Sequence, residues 1–221
     1  MTQTVVVTGA NRGIGLELVR AWKGRGDEVI AVCRKSSDEL QDLGVQIIED
    51  VDVSQPSSLN HLRKSLEGTR IDVLFNCAGI MRSETLDDMN YDQIREQFEV
   101  NTIGPLHTTL ALLDLIPEGG RVAMMTSRMG SIEDNTSGGK YGYRASKAAL
   151  NAVSKSLAVD LHPQGIAVAI LHPGYVKTDM TGHTGHITPQ ESAERLVQRV
   201  DELNLDNSGT FWHSDGSILP W

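Results

Sequence analysis

The chain has 221 residues, enough for one substantial core and too few for two ordinary domains. A net charge of −9 argues against nucleic acid or an anionic membrane as the main partner. With 39 % hydrophobic and 22 % charged residues, the chain is not of the disordered class, and two cysteines, Cys33 and Cys77, fit a reduced cytosol better than a disulfide framework.

Met1-Thr2-Gln3 runs straight into a strand pattern with no basic or apolar leader. No apolar run approaches the roughly 18 residues of a membrane span, so a cytoplasmic, soluble protein is expected. Thr4 to Thr8 is β-branched and continuous, as a strand buried on both faces should be. Val29 to Cys33, Gln46 to Ile48, Val73 to Phe75, Val122 to Met125 and Ile166 to Leu171 read the same way. Between them lie amphipathic stretches, Ile14 to Trp22, Leu59 to Leu66, Tyr91 to Leu115 and Tyr143 to Leu161, with a further helix signal at Pro189. Such alternation implies right-handed βαβ units, and so one doubly wound α/β domain over 1–221, a parallel sheet of about seven strands with helices on both faces. Ligands of such sheets bind beyond the carboxyl ends of the strands.

Two local patterns carry chemistry. After the first strand comes Gly9-Ala10-Asn11-Arg12-Gly13-Ile14-Gly15, then a helix. Gly9 permits a tight exit from the strand, Gly13 lets backbone approach a pyrophosphate, and Gly15 lets helix and strand pack closely. The second is Tyr143-Arg144-Ala145-Ser146-Lys147, which puts an ammonium on the same helix face as a phenol. A tyrosine of pKa about 10 is a poor acid or base at neutral pH, and a nearby positive charge is expected to lower that value. Tyr141 lacks such a partner, because Ala145 stands four residues after it.

Thr8-Gly-x-x-x-Gly-x-Gly15, Asn76-Cys77-Ala78-Gly79, Tyr143-x-x-x-Lys147 and Pro173-Gly174 follow the order of the short-chain dehydrogenases/reductases, which the chain resembles along essentially its whole length. Ser127 to Asn151 and the ending Asp215 to Trp221 are similar to the C-factor-like, carbonyl-reductase-related branch. The resemblance implies an NAD(P)-dependent oxidoreductase on a Rossmann-like fold, interconverting a small-molecule carbonyl and an alcohol. A cofactor-binding regulatory or signalling protein with little turnover is the alternative.

The resemblance also distributes roles. Asp52 and Val53 match the adenine contact, against the alternative that Asp52 caps the helix at Pro56. Asn76, Ala78 and Gly79 lie where the nicotinamide ribose is expected, with Asn76 tying strand ends together. Pro173, Gly174, Val176 and Thr178 form the segment beside the nicotinamide, Val176 through its backbone and Thr178 through its hydroxyl. Lys147 is expected to hold the ribose hydroxyls, and Asn101 a water linking Lys147 to solvent. Ser127 is the expected hydrogen-bond donor to the carbonyl, with Ser131 as a rival. The second strand ends at Arg34 rather than at an acid, so Arg34, with Arg12, favours NADP(H) over NAD(H). Arg128, Met129, Tyr175, Met180, His183 and Trp212 are candidate substrate-rim residues.

Remaining features have plainer readings. His183-Thr184-Gly185-His186 lacks a third ligand and is a loop rather than a metal site. Glu84, Asp87 and Asp88 resemble an acidic helix start. Leu150, Val153 and Leu157 fit either burial against the sheet or the helix surface that makes many relatives homodimers or homotetramers. Only Thr181 to Thr188 separates Met180 from the Pro189 helix, so the substrate lid is expected to be short.

Overall fold

The computed structural model describes residues 2–221. In chain order its elements are β1 (Thr4–Thr8), α1 (Gly13–Gly24), β2 (Glu28–Val32), a short α2 (Asp38–Gln41), β3 (Gln46–Ile48), α3 (Pro56–Ser65) and β4 (Val73–Asn76). Then follow α4 (Tyr91–Phe98), α5 (Gly104–Leu112), β5 (Arg121–Met125), α6 (Tyr141–Leu161), β6 (Ala167–His172), α7 (Pro189–Asp201) and β7 (Phe211–His213). The strands form one parallel sheet in the order β3-β2-β1-β4-β5-β6-β7. The order reverses between β1 and β4, which opens a crevice beyond their carboxyl ends. This is a doubly wound, Rossmann-like sheet.

Strand parity sorts the core into two layers. Val5 and Val7 face one cluster with Leu18, Val19 and Trp22 of α1 and Leu196 and Val200 of α7. Val6 faces the other, with Leu62 of α3, Leu112 of α5 and Leu150 and Leu161 of α6. Each such aliphatic side chain removed from water stabilises the fold by roughly 1.5–3 kcal/mol before entropy is counted. Trp22 packs edge-on against Phe75 at 5.7 Å, locking α1 onto β4. Leu150 and Leu157 are buried in the second layer and Val153 packs against it, so these residues serve the core rather than an exposed helix surface. No helix among the described residues is long and apolar enough to cross a membrane.

The stretch from Tyr91 to Leu115 is not one helix. A π-helical turn over Glu99–Ile103 separates α4 from α5, and a 3-10 turn over Leu113–Leu115 ends the run. Pro105 has no N–H to return to the Asn101 carbonyl, so the regular ladder fails one turn before it. The seventh strand, β7, is only three residues long and pairs on one side with β6.

Two glycines fix how close α1 comes to the sheet. A Cβ on Gly15 would stand 2.2 Å from the Gly9 carbonyl oxygen, and one on Gly9 would stand 2.7 Å from the Ala78 Cα. Gly15→Ala must therefore displace backbone, at an expected cost of about 1–3 kcal/mol and a melting point several degrees lower. Gly24→Ala, whose Cβ meets nothing within 4 Å, is expected to be neutral or stabilising by up to about 1 kcal/mol. Thermal unfolding should show a loss for Gly15→Ala and none for Gly24→Ala; equal destabilisation would contradict this account.

Candidate active site

Beyond the strand ends lies a cavity of about 830 Å³. The glycine loop supplies Gly9, Asn11, Arg12, Gly13, Ile14 and Gly15 to its lining; Arg34, Asp52, Val53, Ala78 and Gly79 follow from the ends of β2, β3 and β4. Tyr143 and Lys147 of α6 and Pro173 and Thr178 after β6 complete the set drawn from the sequence. Asn76, Asn101, Ser127, Gly174 and Val176 are not part of that lining, Ser127 following the lining residues Met125 and Thr126. The Asn76 amide donates to Thr109 Oγ1 (3.1 Å) and Met124 Sδ (3.4 Å), tying β4 to α5 and β5. Gly174 (φ +93°) leaves no room for a Cβ beside Ile187 Cδ1 at 2.9 Å. Val176 bridges to Ile187, and its carbonyl accepts from the Thr178 amide, so it shapes the segment from within.

The glycine loop suits a diphosphate. Arg12 occupies the N-cap position of α1 without a side-chain cap, which leaves first-turn amides available to a ligand. Gly13 (φ +54°) faces open space, its nearest neighbour in the Cβ direction being Thr178 Cγ2 at 3.6 Å. Arg12 itself pairs with Asp179, Nη1 to Oδ2 3.0 Å, and His183 Nε2 approaches the other oxygen of the same carboxylate at 3.0 Å. The Arg12 guanidinium thus reaches towards the segment after β6, and Arg34 is the arginine left at the end of β2. Asp52 is not a helix cap: Gln55 holds that position, and Asp52 Oδ1 accepts from the Ser54 amide (3.0 Å) and hydroxyl (2.7 Å).

Around Tyr143 the electrostatics differ from expectation. Lys147 Nζ lies 5.9 Å from the ring centroid, on the same helix face. The phenol's pKa is nevertheless raised: loss of water at this buried residue dominates, and the Ser127 hydroxyl only partly counters it. Burial also pulls the Lys147 ammonium down to about 8, against the opposing pull of Cys77, whose own thiol burial pushes up to about 12. The ammonium donates to the Met125 carbonyl at 2.8 Å, so part of its field is spent there. Desolvation acts on both partners of the pair and outweighs their proximity.

Ser127 and Ser131 have different occupations. Ser127 Oγ accepts from the Met129 amide at 3.1 Å, and its hydroxyl hydrogen-bonds the Tyr143 phenol. Ser131 is committed, donating to the Trp221 main-chain oxygen (2.9 Å) and accepting from the Asp134 amide (3.1 Å). Asn101, inside the π-helical turn, is bonded twice to Ile80, accepting from its amide and donating to its carbonyl, both at 2.8 Å; it also donates to Ser146 Oγ at 3.1 Å.

Of the rim residues, Met180 and His183 line the cavity, and Arg128, Met129, Tyr175 and Trp212 do not. Arg128 bonds Asp134, in the same short turn region as Met129. The Tyr175 hydroxyl bonds Thr184 and its ring meets His186 edge-on at 5.2 Å. Trp212 points to the α1–α7 side of the sheet, with Arg199 over its ring at 6.0 Å. Glu84 is also corrected: it begins no helix of its own segment but is buried, accepting from Gln97 Nε2 (2.6 Å) and the Gly142 amide (3.1 Å). Residues that sequence reasoning missed in the lining include Ile80, Lys177 and the Arg82–Glu96 pair (3.0 Å). Lys177 stands directly before Thr178, so chain position alone pointed to it.

Comparison with known proteins agrees with this geometry. The family described as short chain dehydrogenase matches residues 3–188. The chain is 42 % identical to the 1-hydroxy-2-glutathionyl-2-methyl-3-butene dehydrogenase of Rhodococcus sp. (strain AD45), over 99 % of each chain. It is 42 % identical to the C-signal of Myxococcus xanthus, covering 68 % of this chain and 93 % of that one. The NADPH-bound carbonyl reductase from chicken fatty liver superimposes with a TM-score of 0.91 at 31 % identity, covering 100 % of this chain and 99 % of the other. The chain belongs to the short-chain dehydrogenase family, in its C-factor-like, carbonyl-reductase-related branch.

Proposed function

We propose that this protein is an NADP(H)-dependent reductase of aldehydes and ketones in which Tyr143 is the proton donor. The observation that carries the reading is a buried phenol held in its protonated form beside an ammonium, at the inner wall of a cavity built for a dinucleotide. Such a phenol carries its proton at neutral pH and has it available for a developing alkoxide, the reductive direction, while the Ser127 hydroxyl opposes the loss of acidity that burial causes. When bound, NADPH supplies the hydride. Ser127, whose hydroxyl is within hydrogen-bond reach of the Tyr143 phenol, steadies the same carbonyl oxygen. Asn101 Oδ1 and Lys147 Nζ both come close to Gly79, 3.2 Å and 3.6 Å from where a Cβ would stand, so no side chain separates them there. A water bridging the two groups would return a proton to the site.

The cofactor choice rests on Arg34 at the end of β2, where an NAD-selective site carries an acid. The NADPH bound in the chicken reductase supports the same choice. The Rhodococcus relative handles an alcohol bearing a glutathionyl group, so glutathionyl aldehydes belong in the substrate panel with simple aldehydes, ketones and diketones. The C-signal relative favours a second reading, a cofactor-binding signalling protein. Binding of NADPH without consumption across that panel would select the second reading.

Tyr143→Phe is expected to leave NADPH affinity within about twofold and to lower kcat by about 10²-fold or more; retained turnover removes the phenol from the mechanism. Arg34→Asp is expected to weaken NADPH by about tenfold or more and NADH far less, in a direct binding titration; equal losses would end the NADP(H) assignment. Lys147 has a folded-state pKa depressed from 10.5 to about 8. Between those values the unfolded chain binds more protons, so this group makes stability rise with pH across that window. Lys147→Met is therefore expected to be more stable than the parent apoprotein at pH 7, by a few kcal/mol at most, with the advantage shrinking above pH 8. Denaturant unfolding at pH 7 and pH 9.5 measures it, and a pH-independent difference would refute it.

A further inference from the structure

The start of α6 lacks a cap of its own. Its N-cap residue, Lys140, has φ +50° and makes no side-chain cap bond, and Gly138 and Gly139 before it are also left-handed. First-turn amides in that position need an acceptor from elsewhere. Glu84 provides it from 58 residues away in the chain: Oε2 accepts from the Gly142 amide at 3.1 Å, and the Glu84 carbonyl accepts from the Lys140 amide at 2.9 Å. The side chain is 1 % exposed, and no cation pairs with it among the described residues. Gly142 is the residue directly before Tyr143. A Cβ on it would stand 2.4 Å from Gln97 Nε2, so this end of α6 is seated against α4 with no slack.

The direction of the hydrogen bonds specifies a carboxylate. The Arg82 amide, which can only donate, bonds Gln97 Oε1 at 2.8 Å. That orients the Gln97 amide so that Nε2 donates to Glu84 Oε1 at 2.6 Å, while Glu84 Oε2 takes the Gly142 amide. Both oxygens of residue 84 must accept. A glutamine there would set its own NH2 against Gln97 Nε2, and turning Gln97 to relieve this would set Nε2 against the Arg82 amide. No isosteric neutral side chain satisfies the chain of donors, and an unmet buried donor is costly.

We propose that Glu84 is a positioning residue for Tyr143: an acceptor-only carboxylate that caps α6 from a distant loop and sets where the phenol stands in the cavity. The proposal rests on the reading of Tyr143 as the proton donor. It concerns the placement of a reacting group, for which a displacement of about 1 Å can cost on the order of 10²-fold in rate.

The test compares the NADPH-loaded full-length parent, Glu84→Gln and the exchange variant Glu84→Gln/Gln97→Glu. The exchange reverses the network and gives up only the longer bond from Gln97 Nε2 to the Gln93 carbonyl (3.2 Å). The carboxylate moved to position 97 accepts from the Arg82 amide and from the NH2 now carried at position 84, whose amide oxygen accepts from the Gly142 amide. The probe is an aldehyde or ketone of the panel that the parent reduces. Glu84→Gln is expected to lower kcat by about tenfold or more, with carbonyl KM and NADPH Kd within about twofold, and the exchange variant to recover kcat to within about threefold. Unchanged kcat in Glu84→Gln overturns the proposal, as does a loss that the folded exchange variant does not recover. If Glu84→Gln does not fold, the exchange variant alone decides by the same criterion, and failure of both to fold makes the role purely structural. Inactive Tyr143→Phe with active Glu84→Gln defeats this proposal alone; active Tyr143→Phe, or a parent that reduces nothing, defeats the reading beneath it.

Discussion

The site depends on backbone approaching backbone where no side chain can fit. A Cβ on Gly130 would lie 2.7 Å from the Lys147 carbonyl carbon, so the turn after β5 rests directly on the main chain of α6. At the other end of the same stretch of helix, Gly142 rests against α4. Between these two contacts α6 can neither slide nor roll. Ser127 is carried by the first contact, three residues before Gly130, and Tyr143 by the second, one residue after Gly142. The serine and the tyrosine come from different segments, and the hydrogen bond between the Ser127 hydroxyl and the phenol is backed by hard contacts of the packed interior. A soft linkage would leave the donor hydroxyl and the phenol free to drift apart as the loops move.

Much of the architecture was legible because parallel strands buried on both faces need continuous β-branched runs, and Thr4 to Thr8 could hardly be anything else. The strand limits differ from the sequence reading by a residue or two at most in six strands. The seventh escaped because Phe211–His213 offers three residues, too few to show a period, on an edge that needs only one partner. The π-helical break before Pro105 escaped for another reason. Tyr91 to Leu115 has an apolar pattern throughout, and periodicity measures which faces are buried rather than whether the ladder of bonds continues.

The candidate site was legible in residue type and spacing and illegible in sign and direction. Four residues of separation were enough to put Tyr143 and Lys147 on one face. The direction of the tyrosine's shift was not available, because it turns on how much water reaches residues that are 8 % and 4 % exposed. Trp212 shows a failure that parity could have repaired. It pairs with Leu171, whose side chain belongs to the α1–α7 layer, so a partner in register with it faces that layer too. Glu84 had no such remedy. Its partners lie 13 and 58 residues away, and an acidic residue near two others reads as a solvated cluster until the fold brings Gln97 and Gly142 to it.

At the opposite end of the cavity the charge balance is local rather than global. Arg12 and Asp179 form an exposed pair, with 70 % and 62 % of the side chains accessible, and such pairs contribute about 0–1 kcal/mol. A phosphate carrying more charge than one carboxylate can therefore displace Asp179 at little cost, and the glycine loop stays open to its ligand even though an ion pair spans from it to the segment after β6. The ribose end is more contested. Two residues beyond Arg34, the Ser36 amide donates to Glu49 at 2.6 Å, and that bond with the Ser36 hydroxyl holds the Glu49 carboxyl below the usual range. The cation that Glu49 faces is Lys35, the residue after Arg34, so the charge of that lysine is partly met within the protein. In a chain of net charge −9, positive charge at this end of the cavity is supplied locally, by Arg34 in its lining, rather than by the field of the protein as a whole.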